Sequence, residues 1–164
     1  MQQFNDKPNF KLLLHIKPSA RASILGSILY PEIAGDIWFY ETEYGVLVVC
    51  DIEGLPNTNH PCQNQFALHI HEGSSCSGNN IGPFASAGEH YNPNNCPHPQ
   101  HAGDLPPLIN ANGNAFSVVL TNKFTVNEII DKTVIIHLLN DDFKTQPSGN
   151  SGAKIACGEI KLYN

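Results

Sequence analysis

Arginine is almost absent from this 164-residue chain. Arg21 is the one instance, and nine Lys or Arg face 15 Asp or Glu for a net charge of −6. A chain so poor in cations has neither the basic stripe of a nucleic-acid binder nor a polybasic membrane patch. Long apolar runs are missing too: nothing approaches the roughly 20 residues that span a bilayer. The longest amino-terminal run, Leu12 to Leu14, is too short for the core of an export signal. The expectation is a soluble, cytoplasmic protein without nucleic-acid or membrane partners, and exported or periplasmic if a signal peptide was removed. No stretch has a convincing amphipathic helical pattern, and no repeat or second domain is visible. The length also excludes a TIM barrel or two ordinary catalytic domains.

What the chain does have is turn chemistry, with 13 Gly, 12 Pro and 18 Asn. Such a balance suits short strands joined by many loops. Residues 1–18 read as a polar tail and 19–164 as one domain. Branched and aromatic residues predict strands at Ala22–Ser27, Asp36–Thr42, Val46–Ile52, Phe66–Glu72, Leu108–Asn110, Ala115–Leu120, Thr133–Leu139 and Lys154–Leu162. VNEII, from Val126, offers one short helix. About eight strands predict an all-β sandwich or flattened barrel. Two connections are long, about 35 residues after the fourth strand and Asn140 to Gly152, and loops of that kind are normally functional.

Histidine is concentrated: five of the eight fall between positions 69 and 101. In FALHIHE, strand alternation puts Phe66, Leu68 and Ile70 on the core face and both His69 and His71 on the other. The same alternation in TVIIHLL turns Val134, Ile136 and Leu138 inward and His137 outward. The long loop adds His90, then His98, His101 and Asp104 in HPQHAGD. Three imidazoles with a carboxylate suit zinc, and three or four imidazoles with an open position suit redox copper. Pro93, Pro97 and Pro99 stiffen the segment that would wrap the metal. His15 and His60 read as surface or loop residues. The five cysteines, Cys50, Cys62, Cys76, Cys96 and Cys157, are an odd number, so at least one is unpaired within the chain. Cys50, in VLVVC, reads as a small buried hydrophobe.

Taken in order, HIHE at 69 to 72, Cys76, AGEHYNP at 87 to 93, HAGDLP at 101 to 106, VIIH followed by NDD, and GNSGAKIACGEI at 149 to 160 resemble the copper/zinc superoxide dismutase family. The resemblance implies an eight-stranded Greek-key fold with two long functional loops. It implies copper held by His69, His71, His90 and His137, and zinc held by His90, His98, His101 and Asp104. His90 would bridge the two metals and serve catalysis. Asp141 matches the carboxylate that links a copper histidine, His69, to a zinc histidine, His98; its plainer reading is a turn residue in NDDF. Cys76 and Cys157 match the family's disulfide. Cys62 and Cys96 have no counterpart, and either a second disulfide or two free thiols fits them. The implied activity is conversion of superoxide to dioxygen and hydrogen peroxide by a copper couple, in a possible homodimer.

Two departures stand out. Where the family usually carries an arginine beside copper, this chain has Lys154, a flexible point charge in place of a rigid fork of donors. The zinc segment and the guiding loop Asp141 to Asn150 are short, with extra residues between Cys76 and His90, a pattern more like bacterial members than animal ones. A cupin also uses an H-x-H strand, but it leaves HPQHAGD and ACG unexplained. Lys154 also admits a non-enzymatic alternative, a copper carrier or buffer or a metal-stabilised binding module.

Overall fold

A computed structural model describes residues 17–57, 64–78 and 82–164. His15, His60, Cys62 and most of the expected tail lie outside the described residues. The described residues form eight strands: β1 (Ala20–Gly26), β2 (Ala34–Thr42), β3 (Gly45–Glu53), β4 (Gln65–His71), β5 (Asp104–Ile109), β6 (Ala115–Thr121), β7 (Thr133–His137) and β8 (Lys154–Leu162). The short helix α1 (Val126–Ile129) sits where VNEII predicts it, and a single 3-10 turn covers Ala85–Ala87. α1 starts at a capping box, in which Thr125 and Glu128 satisfy each other's backbone N–H groups.

Every strand pair is antiparallel, in the order β5-β4-β7-β8-β1-β2-β3-β6. The end strands β5 and β6 approach each other, so the sheet curls into a nearly closed barrel. Alternation fills its interior. Ala22 and Ile24 of β1, Ile37 and Phe39 of β2, Cys50 and Ile52 of β3, and Phe66, Leu68 and Ile70 of β4 form one core with Val134, Ile136 and Ile160. Cys50 is the buried hydrophobe expected, its thiol pushed up to about 12 by burial against a smaller opposing hydrogen bond with Ser117.

Strand limits differ from the sequence pattern in informative places. β5 starts at Asp104, four residues before the apolar run, and includes Pro106 and Pro107. It ends the strand order, and its register with β4 shifts between Leu105 and Leu108, so one proline falls on the open edge and the other in an irregularity, the two places where a missing N–H breaks no ladder. β7 stops at His137 because the β7–β8 register shifts between Ile136 and His137. Most important, β4 is buried on both faces from Phe66 to His71. The outward face carrying His69 and His71 is covered by the loop between β4 and β5: His71 bridges to His90, and the Tyr91 N–H donates to the Ile70 carbonyl at 2.8 Å. A smaller apolar cluster, Ala87, Ile135 and Cys157 with Phe84 and Cys76, closes the same flank.

Candidate metal centre

The seven expected ligands converge into two groups, His69, His71, His90 and His137, and His90, His98, His101 and Asp104. Within each group one donor atom per residue lies within 4.8 Å of the others, and all seven residues are buried. β4 supplies His69 and His71, β7 supplies His137, and Asp104 opens β5 opposite His69. The loop brings in His90, His98 and His101.

Hydrogen-bond partners fix which ring nitrogens remain bare. His71 Nδ1 donates to the Gly88 carbonyl at 2.9 Å, and His137 Nδ1 donates to the Gly152 carbonyl at 3.2 Å. In a neutral imidazole the other nitrogen is then a lone pair, yet His71 Nε2 and His137 Nε2 stand 3.3 Å apart. Two acceptors at that distance repel unless a cation lies between or beside them. His69 Nε2 and His98 Nε2 donate to the two oxygens of Asp141, at 2.9 and 2.8 Å. That leaves His69 Nδ1 and His98 Nδ1 buried without partners, as His90 Nε2 is too. His98 Nδ1 lies 3.1 Å from Asp104 Oδ2, another approach of two acceptors. Buried polar atoms are rarely left unpaired, so these bare nitrogens fit bound metal ions.

The electrostatics favour the neutral form of four rings, His69, His71, His101 and His137. Burial, helped by the charges of His137, His90 and Lys154, holds His71 well below the usual histidine range, and burial brings His137 down to about 3. His69 and His101 are lowered by burial too, against the pull of Asp141 and Asp104. Burial alone would raise Asp141, but hydrogen bonds from His69, His98 and the Phe143 N–H bring it down to about 2.

A pH dependence follows. Unfolded histidine titrates near 6.5, and the fold accepts His137 only as the neutral ring, so protonation favours the unfolded chain. The metal-free protein should therefore hold its melting temperature above about pH 6.5 and lose it steadily as pH falls towards about 3, with Asp141 adding a further loss below about pH 4. Thermal melts of metal-free protein across this range check it; a flat profile from neutral pH to about pH 4 would contradict the buried neutral rings.

Asp141 takes the linking position, and it also accepts the Phe143 N–H at 2.7 Å, so the turn reading holds alongside it. Cys76 and Cys157 form a disulfide with an S–S distance of 2.03 Å. Among the described residues Cys96 has no disulfide partner. Lys154 pairs with His137 across β7 and β8, and its Nζ donates to the Gly88 carbonyl at 2.8 Å, the same oxygen that orients His71. It lines a cavity of about 460 Å³ with Gly88 and Glu89. A larger cavity, about 660 Å³ beside the disulfide on β1 and β8, touches no histidine of either group.

Several supports are absent from the ligand motifs. Gln146 clamps His98, accepting its N–H at 2.9 Å and donating to its carbonyl at 2.7 Å. Gly149, at φ 65°, is required because a Cβ there would overlap the Asp141 carboxylate and crowd His98 Nε2. The sequence signal was glycine itself in the guiding loop; nothing in the sequence joins Gln146 to a residue 48 positions away.

The family model for copper/zinc superoxide dismutase matches residues 33–160. This chain belongs to that family. Superoxide dismutase (Cu-Zn) of Legionella pneumophila is 33% identical over 139 residues, covering 80% of each chain. The Deinococcus radiodurans enzyme is 29% identical over 167 residues, covering 90% of this chain and 87% of its own. Among solved structures, a SOD-like protein from Bacillus subtilis is similar with a TM-score of 0.68 and 29% identity, covering 85% of this chain and 96% of that one. Its double mutant, in which a tyrosine and a proline become histidine, has the same TM-score at 31% identity, covering 86% of this chain and 96% of that one. All three are bacterial, as the loop lengths suggest.

Proposed function

We propose that this protein is a superoxide dismutase with copper at His69, His71, His90 and His137 and zinc at His90, His98, His101 and Asp104. The observation that carries the reading is His90, which belongs to both groups. Its Nδ1 lies 2.8 Å from Asp104 Oδ1 and 3.4 Å from His101 Nδ1, leaving the buried, unpartnered Nε2 for the other group. One imidazole is thus available to two metals. Copper held by the four-histidine group would supply a one-electron couple, by which one superoxide is oxidised to dioxygen and a second, with two protons, is reduced to hydrogen peroxide.

The chain's own residues do the rest. His69, His71 and His137 keep their lone pairs aimed inward because Asp141, Gly88 O and Gly152 O accept hydrogen bonds from their ring N–H groups. His90 can hold a proton at Nε2 and yield it to the reduced dioxygen. Asp141 orients one ring of each group. Residues 19–164 act as a single domain, consistent with strands running from Ala20 to Leu162. The disulfide supports the exported alternative over the cytoplasmic expectation. A homodimer has an exposed apolar stripe on β6, Phe116, Val118 and Leu120, available to it.

Metal analysis together with superoxide consumption by the copper- and zinc-loaded protein tests the assignment. One copper and one zinc per chain with rapid turnover is the expected result, and one copper with negligible turnover would favour the carrier or buffer.

Lys154 guides the anion in this reading. Its charge reaches His71 and His137, but Gly88 O takes one of its protons, burial lowers its pKa and Glu89 stands nearby. Lys154→Arg should raise the rate by about threefold to tenfold at low salt and steepen its fall with ionic strength. Stopped-flow rates against salt decide it; identical curves for both proteins would remove Lys154 from the guidance role.

A further inference from the structure

The turn that carries the last two zinc-type ligands is held unevenly. At its centre Gly103 is fixed twice: its N–H donates to the Tyr91 carbonyl at 2.8 Å and its carbonyl accepts the Ile70 N–H at 2.9 Å. The ligands on either side are tied to each other, the His101 N–H donating to Asp104 Oδ2 at 3.0 Å and the Asp104 N–H to the His101 carbonyl at 3.3 Å, and their outer flank is open. There the turn borders a cavity of about 390 Å³ lined by Pro99, Asp104, Leu105, Pro107, Leu120 and Lys123. Apolar packing does not fill that flank.

A single cation reaches across instead. Lys123, just after β6, donates from Nζ to the His101 carbonyl at 3.2 Å and to the Asp104 carbonyl at 3.3 Å. Among the described residues it enters no ion pair, so these two carbonyls are its recorded polar partners. We propose that Lys123 is a positioning residue for the zinc-type group, fixing the His101 and Asp104 backbone from outside the ligand-bearing loop. The proposal rests on the zinc assignment made above.

The physical reason lies in what the carbonyls control. Rotating either peptide swings the Cα–Cβ vector beside it, and so moves His101 Nδ1 or the Asp104 carboxylate relative to His90 and His98. Charge-assisted hydrogen bonds are stronger than neutral ones, and one ammonium bound to two carbonyls ties both rotations together. The competing effect is repulsion between Lys123 and a bound dication. Positioning predicts weaker binding when the ammonium is removed, and repulsion predicts tighter binding.

Lys123→Met keeps the stem and removes the donor, whereas Lys123→Arg restores a donor. Loading the full chain with zinc or cobalt alone, without copper or superoxide, keeps the measurement independent of dismutase activity. Chelator competition should show metal bound about 10-fold more weakly by Lys123→Met, with most of the loss recovered by Lys123→Arg. The cobalt absorption bands should shift in Lys123→Met, while its metal-free melting temperature stays that of the parent. Equal or tighter binding with unchanged bands overturns the proposal, as does a metal-free melting temperature that falls along with affinity. A parent protein that binds neither zinc nor cobalt overturns the zinc assignment itself, and the role of Lys123 with it.

Discussion

Replacing Asp141 with alanine lowers affinity at both metal groups together, by about 10- to 100-fold each. Its carboxylate is buried and accepts one ring N–H from each group, His69 Nε2 at 2.9 Å and His98 Nε2 at 2.8 Å. Removing it leaves two buried donors unpaired, at about 1–3 kcal/mol each. It also frees the tautomers: a proton that moves to Nδ1 on either ring blocks the nitrogen that faces metal. Chelator competition for copper and zinc, run separately on Asp141→Ala, measures the two losses. Asp141→Asn offers one acceptor oxygen where two are needed, so it should weaken one group more than the other. Unchanged affinity at either site in Asp141→Ala would show that the carboxylate serves one group only.

Opening the Cys76–Cys157 disulfide should destabilise the metal-free protein by about 4 kcal/mol on the chain-entropy account of a cross-link. The bond joins residues 81 apart and ties the segment after β4 to β8. At this chain length the loss corresponds to a melting temperature lower by about 10 °C. The tether has a local partner, since the Cys76 N–H donates to Glu159 Oε1 at 3.2 Å. Beyond the disulfide cluster of Ala87, Ile135 and Phe84 lies Gly88, whose carbonyl orients both His71 and Lys154. Loss of the bond should therefore loosen the four-histidine group as well. Melts of the Cys76→Ser, Cys157→Ser double variant against the parent, both metal-free, check the stability loss. Equal melting temperatures would show that the small cluster holds this flank unaided.

How far these features can be read from the chain differs by the range of the interaction. β8 begins and ends where its residue pattern places it, at Lys154 and Leu162, because alternation along one strand is a local property. The same holds for His69 and His71 lying on one face of β4, and for the helix at VNEII. β5 was less legible, since Pro106 and Pro107 argue against a strand until its edge position is known. Lys123 looks like an ordinary exposed lysine in sequence. Its partners His101 and Asp104 precede it by 22 and 19 positions, and only the approach of β5 to β6 brings them together.

The sequence by itself carried the family resemblance, most of the strand series and the seven side chains that the fold gathers into two groups, because short motifs and strand alternation encode residue type and facing directly. Tertiary structure alone decided which nitrogen of His69, His71, His98 and His137 is bare, since that depends on Asp141, Gly88 and Gly152 arriving from distant segments to accept the N–H of the other. It also decided the setting of the scarcest charge. Arg21, the single arginine, forms a two-bonded pair with Asp36 on β1 and β2, far in the chain from the metal groups. The cations that stand beside them are lysines, Lys154 at Gly88 and Lys123 at His101 and Asp104, because folding places their flexible stems within reach of those carbonyls.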